Sequence, residues 1–538
     1  MSTPSIPAAQ RELEGPGEAG AQPPSRPVPV SREDNFFLMG GHSLSGMQMV
    51  SRIRRRFGVR LSLRDLFAHP VLADLARLVE RLGTEIGEDR IPVVDRSVPL
   101  LPSFAQERLW IVDQLERAYH DPCPVTYLVP FHYELTGPLD SAIFRAAFQD
   151  LVARQEALRT CFRSVSGRPM QVIAPQLAFE LPLLDWTALS ASERDARLRA
   201  EAAIGFELDQ APLFRAALIR VGDQRHIFLI VLHHIISDGW SLNVLANDLT
   251  ALYAARSEPG AVMPPAPPIQ YADFVAWQRG DARRSVHAEQ LEYWQRQLAG
   301  MPDLLDLPLD HPRPDLPSPV GRARPLAFSR ALTEGLKRVG ARHEATLFMT
   351  LAAAYAVLLW RHGAQEDFGF GSPAANRTRE ETESLIGFFV NVLVLRARLH
   401  GNPTFEDFLK QMRRTCLDAY ANQELPFEQL VGALNPERSM AYSPLVQAVF
   451  VLQNNERGEL SLPGVESVRG EIPTNSAKYD LALILEERHG ALEGRFEYGA
   501  HLFESATVDR MAERLGLLLG WISDDPGRPL SDLPSWAA

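Results

Sequence analysis

Residues 233–239 read His-His-Ile-Ile-Ser-Asp-Gly, and they directly follow an apolar run, Ile-Phe-Leu-Ile-Val-Leu, at positions 227–232. An uninterrupted apolar run of this length is typical of a strand that is buried on both faces. Polar residues at the end of such a strand lie where functional side chains are commonly held by a rigid scaffold. We therefore predict an α/β protein with a polar site directly after this strand.

The two histidines of this segment are expected to serve different purposes. Neighbouring residues of a strand point to opposite faces, so only one of His233 and His234 can face a given site. An imidazole can move a proton near neutral pH or hold an amine by a hydrogen bond. Asp238 and Gly239 favour a tight turn. The alternative, in which both histidines are core or metal-ligating residues, is disfavoured because no further ligand cluster accompanies them.

Composition and charge narrow the class of protein. Of the 538 residues, 46% are hydrophobic and 23% are charged, and the net charge is −12. An acidic protein is a poor candidate for nucleic-acid binding. The three cysteines lack the spacing of a disulfide framework or a metal site. The first thirty residues hold no signal peptide, and no apolar stretch has the length of a membrane span. We expect a soluble cytoplasmic protein without a metal ion.

The chain divides into five stretches. Residues 1–33 are rich in proline and glycine and predict a flexible tail, with at most a short helix near residues 10–14. Residues 34–82 carry two apolar sets at helical spacing, separated by Gly58 and a short helical turn, which predicts a small helical bundle. Residues 83–98 lose this periodicity and predict a linker. Residues 99–270 and 271–538 alternate helical and strand patterns and predict two lobes, joined through a proline-rich crossover.

One basic run stands out in the predicted bundle. Residues 54–56 are three consecutive arginines near the end of a helical pattern. The favoured interpretation is a solvated helix face, and docking to a partner is the alternative.

The His-His-x-x-x-Asp-Gly segment resembles the signature of the condensation domains of nonribosomal peptide synthetases. Six further segments resemble the other motifs of that family, in the same order, within residues 99–536. These segments are residues 103–110, 154–160, 271–279, 386–391, 422–428 and 438–450. One departure lies in the second motif, where Gln155 occupies a position at which the family usually has histidine.

The resemblance implies the two-lobed, V-shaped fold of the chloramphenicol-acetyltransferase-like type, with a tunnel between the lobes. Two carrier-bound thioesters enter this tunnel from opposite ends. His234 would face the reaction centre and hold the acceptor amine, either as a base or by positioning it. Positioning is favoured, because a free amine needs little activation to attack a thioester. Asp238 would be structural and paired with Arg159, with Gly239 beside it, and His233 would pack.

Residues 34–44, Asp-Asn-Phe-Phe-Leu-Met-Gly-Gly-His-Ser-Leu, resemble the motif of peptidyl carrier domains. In that family the serine, here Ser43, is esterified with 4′-phosphopantetheine by a phosphopantetheinyl transferase. A serine at a helix start could instead be only an N-cap. The long first helix that usually precedes the motif is not predicted here, so the bundle is expected to be shortened or to depend on its neighbour for stability.

The resemblance also implies partners and a subtype. A downstream carrier domain would bring the acceptor, and upstream and downstream synthetase modules would flank the chain, which we expect to be monomeric. The first and third motifs resemble the subtype whose donor ends in a D-residue. Two alternatives stay open. One is an inactive condensation-like module that recruits a partner enzyme, and the other is a starter-type or free-standing N-acyltransferase.

Overall fold

The computed structural model describes most of the chain. The described residues are 30–37, 39–41, 43–59, 61–82, 90–119, 123–258, 260–316, 318–436, 439–453 and 458–534. The predicted tail and its short helix therefore lie outside the described residues, apart from residues 30–33.

A small bundle of three helices opens the described chain. Its helices are α1 (Ser43–Phe57), α2 (Leu63–Ala68) and α3 (Leu72–Leu82). Gly58 has a φ of +66° and its amide bonds the Arg54 carbonyl, so it ends α1 as the sequence predicts. Ser62 and Asp65 form a capping box at the start of α2. The predicted helices of the bundle are confirmed.

The first lobe is built around a five-stranded sheet in the order β11-β1-β6-β5-β4, where β11 (Glu466–Glu471) comes from late in the chain. The apolar run 227–232 lies in the central strand β6, where every residue after Arg225 is buried. A two-stranded hairpin, β2-β3, lies beside the sheet. The elements of this lobe are α4 (Phe104–Tyr119), β1 (Leu128–Thr136), α5 (Ser141–Arg154), β2 (Thr160–Val165), β3 (Arg168–Ile173), β4 (Leu183–Asp185), α6 (Ala191–Ala202), β5 (Phe214–Gly222), β6 (Arg225–His233) and α7 (Gly239–Ser257).

The second lobe is built around a six-stranded sheet in the order β7-β13-β12-β10-β8-β9. Helix α11 is its central buried element, with residues 348–359 all buried. The elements that follow α7 are α8 (Tyr271–Arg279), α9 (Asp281–Leu298), β7 (Gly321–Ala327), α10 (Arg330–Arg342), α11 (Leu347–Gly363), β8 (Asp367–Ala374), β9 (Asn391–Arg398), α12 (Phe405–Ala421), α13 (Phe427–Leu434), β10 (Ala448–Gln453), β11 (Glu466–Glu471), β12 (Leu481–Arg488), β13 (Ala491–Gly499) and α14 (Ser505–Asp524).

Two of the connections between the lobes involve strand β11 and the predicted linker. Strand β11 follows β10 of the second lobe, yet it pairs with β1 in the first-lobe sheet. Ile91 of the predicted linker packs into a small apolar cluster with Tyr271 and Phe389, which belong to the second half of the chain. A boundary at residue 271 therefore separates most of the two lobes, but β11 lies after this boundary and still belongs to the first-lobe sheet.

A helix that crosses a membrane by itself is both long and apolar. Within the described residues, no single helix meets both requirements. The pair Arg330–Arg342 and Leu347–Gly363 meets them only when taken together, and it is bent by 101°.

Candidate active site

The polar segment after β6 folds into a short turn between a strand and a helix. Strand β6 ends at His233, residues His234–Ile236 form one turn of 3-10 helix, and α7 begins at Gly239. The His234 amide donates to the Tyr127 carbonyl at 2.8 Å, which fixes the turn to the strand beside it. Gln106 of α4 donates to the Ile235 carbonyl at 2.9 Å. The backbone of the two histidines is therefore held from two sides.

The ring of His234 is half-buried and held in one orientation. Its Nδ1 lies 2.7 Å from the Ser237 carbonyl, so Nδ1 carries the proton and Nε2 keeps its lone pair. The ring of Phe388 meets it edge to face, with the centroids 5.0 Å apart. Burial, and next the positive charge of Lys478, lower the pKa of His234 to about 3. His234 is therefore a neutral imidazole that offers Nε2 as a hydrogen-bond acceptor.

The ring of His233 lies in a different environment. It is buried and packs against Phe206 at a centroid distance of 6.4 Å. Its Nδ1 accepts from the Ile235 amide at 3.1 Å. Burial, and next the neighbouring His234, lower the pKa of His233 to about 3. His233 is therefore a packing residue, held by Phe206 and by the Ile235 amide.

Asp238 is a fully buried carboxylate, and its ion-pair partner is Arg377. Arg377 Nη2 lies 3.1 Å from Asp238 Oδ1, and the two side chains are 1% and 0% exposed. Asp238 also caps α7 by accepting from the Ser241 amide and hydroxyl. Its second oxygen accepts from the Phe389 amide at 3.1 Å. Asp238 thus joins α7 to the loop that carries Phe388.

The predicted pairing of Asp238 with Arg159 is wrong. Arg159 instead donates to backbone carbonyls, among them those of Val152 at 3.1 Å and Pro175 at 3.2 Å. It therefore pins the end of α5 to the chain that follows β3. The reason lies in the fold. Arg159 ends a short 3-10 helix beside the hairpin β2-β3, whereas Arg377 lies in the loop after β8, and that loop packs on the start of α7 at Asp238.

Gly239 is the first residue of α7, and a Cβ added there would meet no atom within 4 Å. The steric reason expected for a glycine in a tight turn is therefore absent at this position. Open space lies beside the turn that carries His234.

Ser43 is the first residue of α1, and its side chain lies outside the described part of the structure. The backbone before it turns sharply, with Gly40 at a φ of +93°. A Cβ at Gly41 would collide with the ring and carbonyl of Phe36, so only glycine fits. The first turn of α1 has no acidic residue. A helix start of this kind presents backbone amides and no acidic side chain, so it suits a negatively charged phosphodiester.

Comparison with known families decides the identity. A match to the condensation domain family covers residues 96–536. The chain belongs to the condensation-domain family. A second match, described as a phosphopantetheine attachment site, covers residues 25–79. The N-terminal bundle is therefore a carrier domain, and 4′-phosphopantetheine is its prosthetic group.

Known synthetases are similar to this condensation domain and its carrier. One of the linear gramicidin synthase proteins of Brevibacillus parabrevis is 41% identical over 511 residues, which are 94% of this chain and 10% of that protein. Malpinin synthetase of Mortierella alpina is 38% identical over 513 residues, which are 93% of this chain and 6% of that protein. The chain spans about a tenth or less of the length of these curated relatives.

Solved structures share the fold. The X-domain from teicoplanin biosynthesis has a TM-score of 0.75 and 26% identity, covering 83% of this chain and 99% of that one. The first condensation domain of the calcium-dependent antibiotic synthetase has a TM-score of 0.69 and 21% identity, covering 82% and 99%. The predicted chloramphenicol-acetyltransferase-like fold of a condensation domain is confirmed.

Several residues around His234 were missed as candidates from the sequence. Arg108 of α4 forms an ion pair with Glu428 of α13 at 2.9 Å. Lys478 lies over the ring of Tyr127 at 5.6 Å. Lys478 is exposed to solvent, and desolvation by the protein packed around its ammonium lowers its pKa. Arg108 and Glu428 lie within motifs of the family, whereas no local pattern marks Lys478 or Arg377.

Gln155, where the family usually has histidine, is a framework residue. Its side chain is fully buried. It donates to Asp248 Oδ2 at 2.8 Å and to the Ser384 carbonyl at 3.0 Å, and it accepts from the Ile386 amide at 3.1 Å. Gln155 therefore ties the end of α5 to α7 and to the loop before Phe388.

Proposed function

We propose that the chain forms peptide bonds in nonribosomal peptide synthesis. A donor acyl thioester borne on the prosthetic arm of Ser43 would be attacked by the α-amine of an acceptor that a downstream carrier delivers. The amide C–N bond forms as the C–S bond breaks, and the proton that the amine nitrogen loses passes to the departing thiolate. The observation that carries this proposal is the geometry of His234, whose protonated Nδ1 is tied to the Ser237 carbonyl. That contact leaves Nε2 as an acceptor for an amine N–H.

The role of His234 follows from its charge state. When bound, the phosphopantetheine arm supplies the thiol that holds the donor as a thioester. The neutral Nε2 of His234 accepts one N–H of the acceptor amine and directs the nitrogen lone pair at the thioester carbonyl. With a pKa of about 3, His234 is a weak base. Positioning is therefore favoured over full proton abstraction, and orientation alone lowers the barrier by several kcal/mol.

The framework around His234 keeps this geometry fixed. Asp238 and Arg377 hold the start of α7 against the loop that carries Phe388. Arg108 and Lys478 add positive charge near His234, which further disfavours its protonation. A preorganised neutral imidazole needs no rearrangement when the amine arrives.

The setting of the reaction is part of the same proposal. We place it in the cytoplasm, with a phosphopantetheinyl transferase loading the carrier and with upstream and downstream modules as neighbours of a monomeric chain. The first and third motifs, at residues 103–110 and 233–241, support a donor that ends in a D-residue.

A second candidate is a module that recruits an enzyme instead of making bonds. The observation in its favour is the likeness to the X-domain from teicoplanin biosynthesis, which has also been solved in a complex with OxyB. Against it stands the complete His-His-x-x-x-Asp-Gly segment at 233–239, with an Nε2 available for an amine.

Loading of Ser43 followed by a single turnover separates these candidates. Treatment with a transferase and D- or L-alanyl-coenzyme A should add one aminoacyl-phosphopantetheine to the chain but none to Ser43→Ala, as intact mass reports. Glycyl-N-acetylcysteamine as acceptor should then yield an alanyl-glycyl product, faster from the D-loaded chain. A chain that loads but gives no dipeptide from either donor, at any acceptor concentration, contradicts bond formation and favours the recruiting module.

A further inference from the structure

The carrier domain touches the condensation domain through a pair of charged contacts on one loop. Arg55 Nη1 of α1 lies 2.9 Å from Glu380 Oε1, and Arg52 Nη2 lies 3.4 Å from Glu383 Oε2. Both glutamates belong to residues 376–389, which we call the relay loop. Of the arginines at 54–56, Arg55 therefore contacts a partner domain, as the docking alternative expects. Arg54 instead donates to the Leu61 carbonyl within the carrier.

Beneath these contacts the two domains share an apolar platform. Helix α2 packs on α12, and Val50 and Leu66 of the carrier belong to the same buried cluster as the second-lobe core. The Gln423 side-chain amide donates to the Met47 sulfur at 3.2 Å. Exposed ion pairs alone contribute little to stability. The platform therefore provides the apolar contact, and Arg52 and Arg55 add two charged contacts between α1 and the relay loop.

The inner face of the relay loop holds the motif that carries His234. Trp240 Nε1 donates to the Glu383 carbonyl at 2.9 Å. The Gly387 amide donates to Ser241 Oγ at 3.1 Å. Together with the bonds of Arg377 and Phe389 to Asp238, these contacts fix the start of α7 to the loop.

The relay loop thus has the carrier on one side and the catalytic turn on the other. Glu383 is the residue where the two faces meet, because its carboxylate pairs with Arg52 and its carbonyl accepts from Trp240. Five residues further along the loop, Phe388 packs its ring against His234. A contiguous set of contacts of this kind can carry energetic coupling if the loop has two arrangements.

We propose that the relay loop couples docking of this carrier to the order of the catalytic turn. Arg52 and Arg55 brace the loop, and the braced loop holds Asp238, Trp240 and the ring of Phe388 in place around His234. The inference rests on the proposed function, since it describes how an upstream carrier would act on the bond-forming site. It adds that the carrier contributes to the site even when its serine bears no substrate.

Hydrogen exchange of the unloaded chain tests the coupling without any substrate. Three amides report on the inner face: those of Ser241, Gly387 and Phe389, each of which donates to a side chain of the network. The double variant Arg52→Glu/Arg55→Glu should accelerate exchange at these amides about fivefold or more. The control variant Arg77→Glu/Arg81→Glu carries the same charge change on exposed positions of α3 and should leave them unchanged.

A restored pair and a salt series guard against a misfolded variant. Arg55→Glu/Glu380→Arg should exchange more slowly at the three amides than Arg55→Glu alone. For the wild-type chain, raising the salt from about 50 to about 500 mM should accelerate the same amides, because exposed ion pairs are screened. If exchange in Arg52→Glu/Arg55→Glu is accelerated only at residues 380–383, or nowhere, the proposed coupling is wrong. Failure of the proposed function would appear separately, as a chain that loads Ser43 but forms no dipeptide.

Discussion

Arg377→Leu is expected to destabilise the condensation domain severely, because it leaves the Asp238 carboxylate buried without its cation. Both side chains are excluded from solvent, at 1% and 0% exposure. Removing one partner of a buried ion pair costs about 3–5 kcal/mol. The carbonyls of Thr382 and Leu385 also lose their donor, which adds to the loss. We expect the free energy of unfolding to fall by at least about 4 kcal/mol.

Urea denaturation of the full chain, followed by circular dichroism, measures this loss. The matched control is Arg159→Leu, which removes a buried arginine whose hydrogen bonds within the described residues go to backbone carbonyls, and it should cost about 1–3 kcal/mol. A double-mutant cycle with Asp238→Asn isolates the pair, and we expect a coupling free energy of about 2 kcal/mol or more. A loss below about 1 kcal/mol for Arg377→Leu, with no coupling to Asp238, would refute the assignment of Arg377 as the partner.

Three further predictions concern the same region. The pKa values of His233 and His234 are lowered to about 3, so the unfolded chain binds more protons below pH 6.5, and stability should fall as the pH drops from 8 to 5. The expected loss is about 2 kcal/mol per histidine, measured by urea denaturation; a flat profile contradicts it. Gln155→Ala should lower the free energy of unfolding by about 2–4 kcal/mol, because three buried hydrogen bonds are lost, while Gln155→His should retain most of the wild-type stability. A thermal midpoint of Gln155→Ala equal to that of the wild type would contradict the framework role of Gln155. Gly239→Ala should keep or raise stability by up to about 1 kcal/mol, since its Cβ meets no atom, and a clear drop in midpoint would show that the position is not open.

The sequence predicted the local elements because their signals are local. The apolar run 227–232 defined β6, and Gly58 marked the end of α1, since both depend on neighbours within a few residues. The seven ordered motifs predicted the family and the fold. The rings of His233 and His234 lie in different environments, as predicted, but the reason differs: His234 begins a 3-10 turn, so the alternation of a strand does not extend to it.

The partners of buried charges could not be predicted in the same way. Arg377 lies 139 residues from Asp238 along the chain, and no spacing rule selects it over Arg159. Strand β11 gives no sign in its sequence that it will cross to the first lobe, because an edge strand with half-exposed residues resembles a surface hairpin. The run of arginines at 54–56 indicates only a solvated face from sequence, since Glu380, the acidic partner of Arg55, is distant along the chain.

The central claim is that a neutral His234 positions the acceptor amine, and the single-turnover rate of His234→Ala tests it most directly. The variant should load at Ser43 as the wild type does and keep its far-ultraviolet circular dichroism spectrum. With D-alanyl donor and glycyl-N-acetylcysteamine, its rate should be about 100-fold lower, by a similar factor from pH 6 to pH 9, because His234 does not titrate in this range. A rate equal to that of the wild type would contradict the account, and a deficit that vanishes below pH 6.5 would show that His234 acts as a base that titrates there.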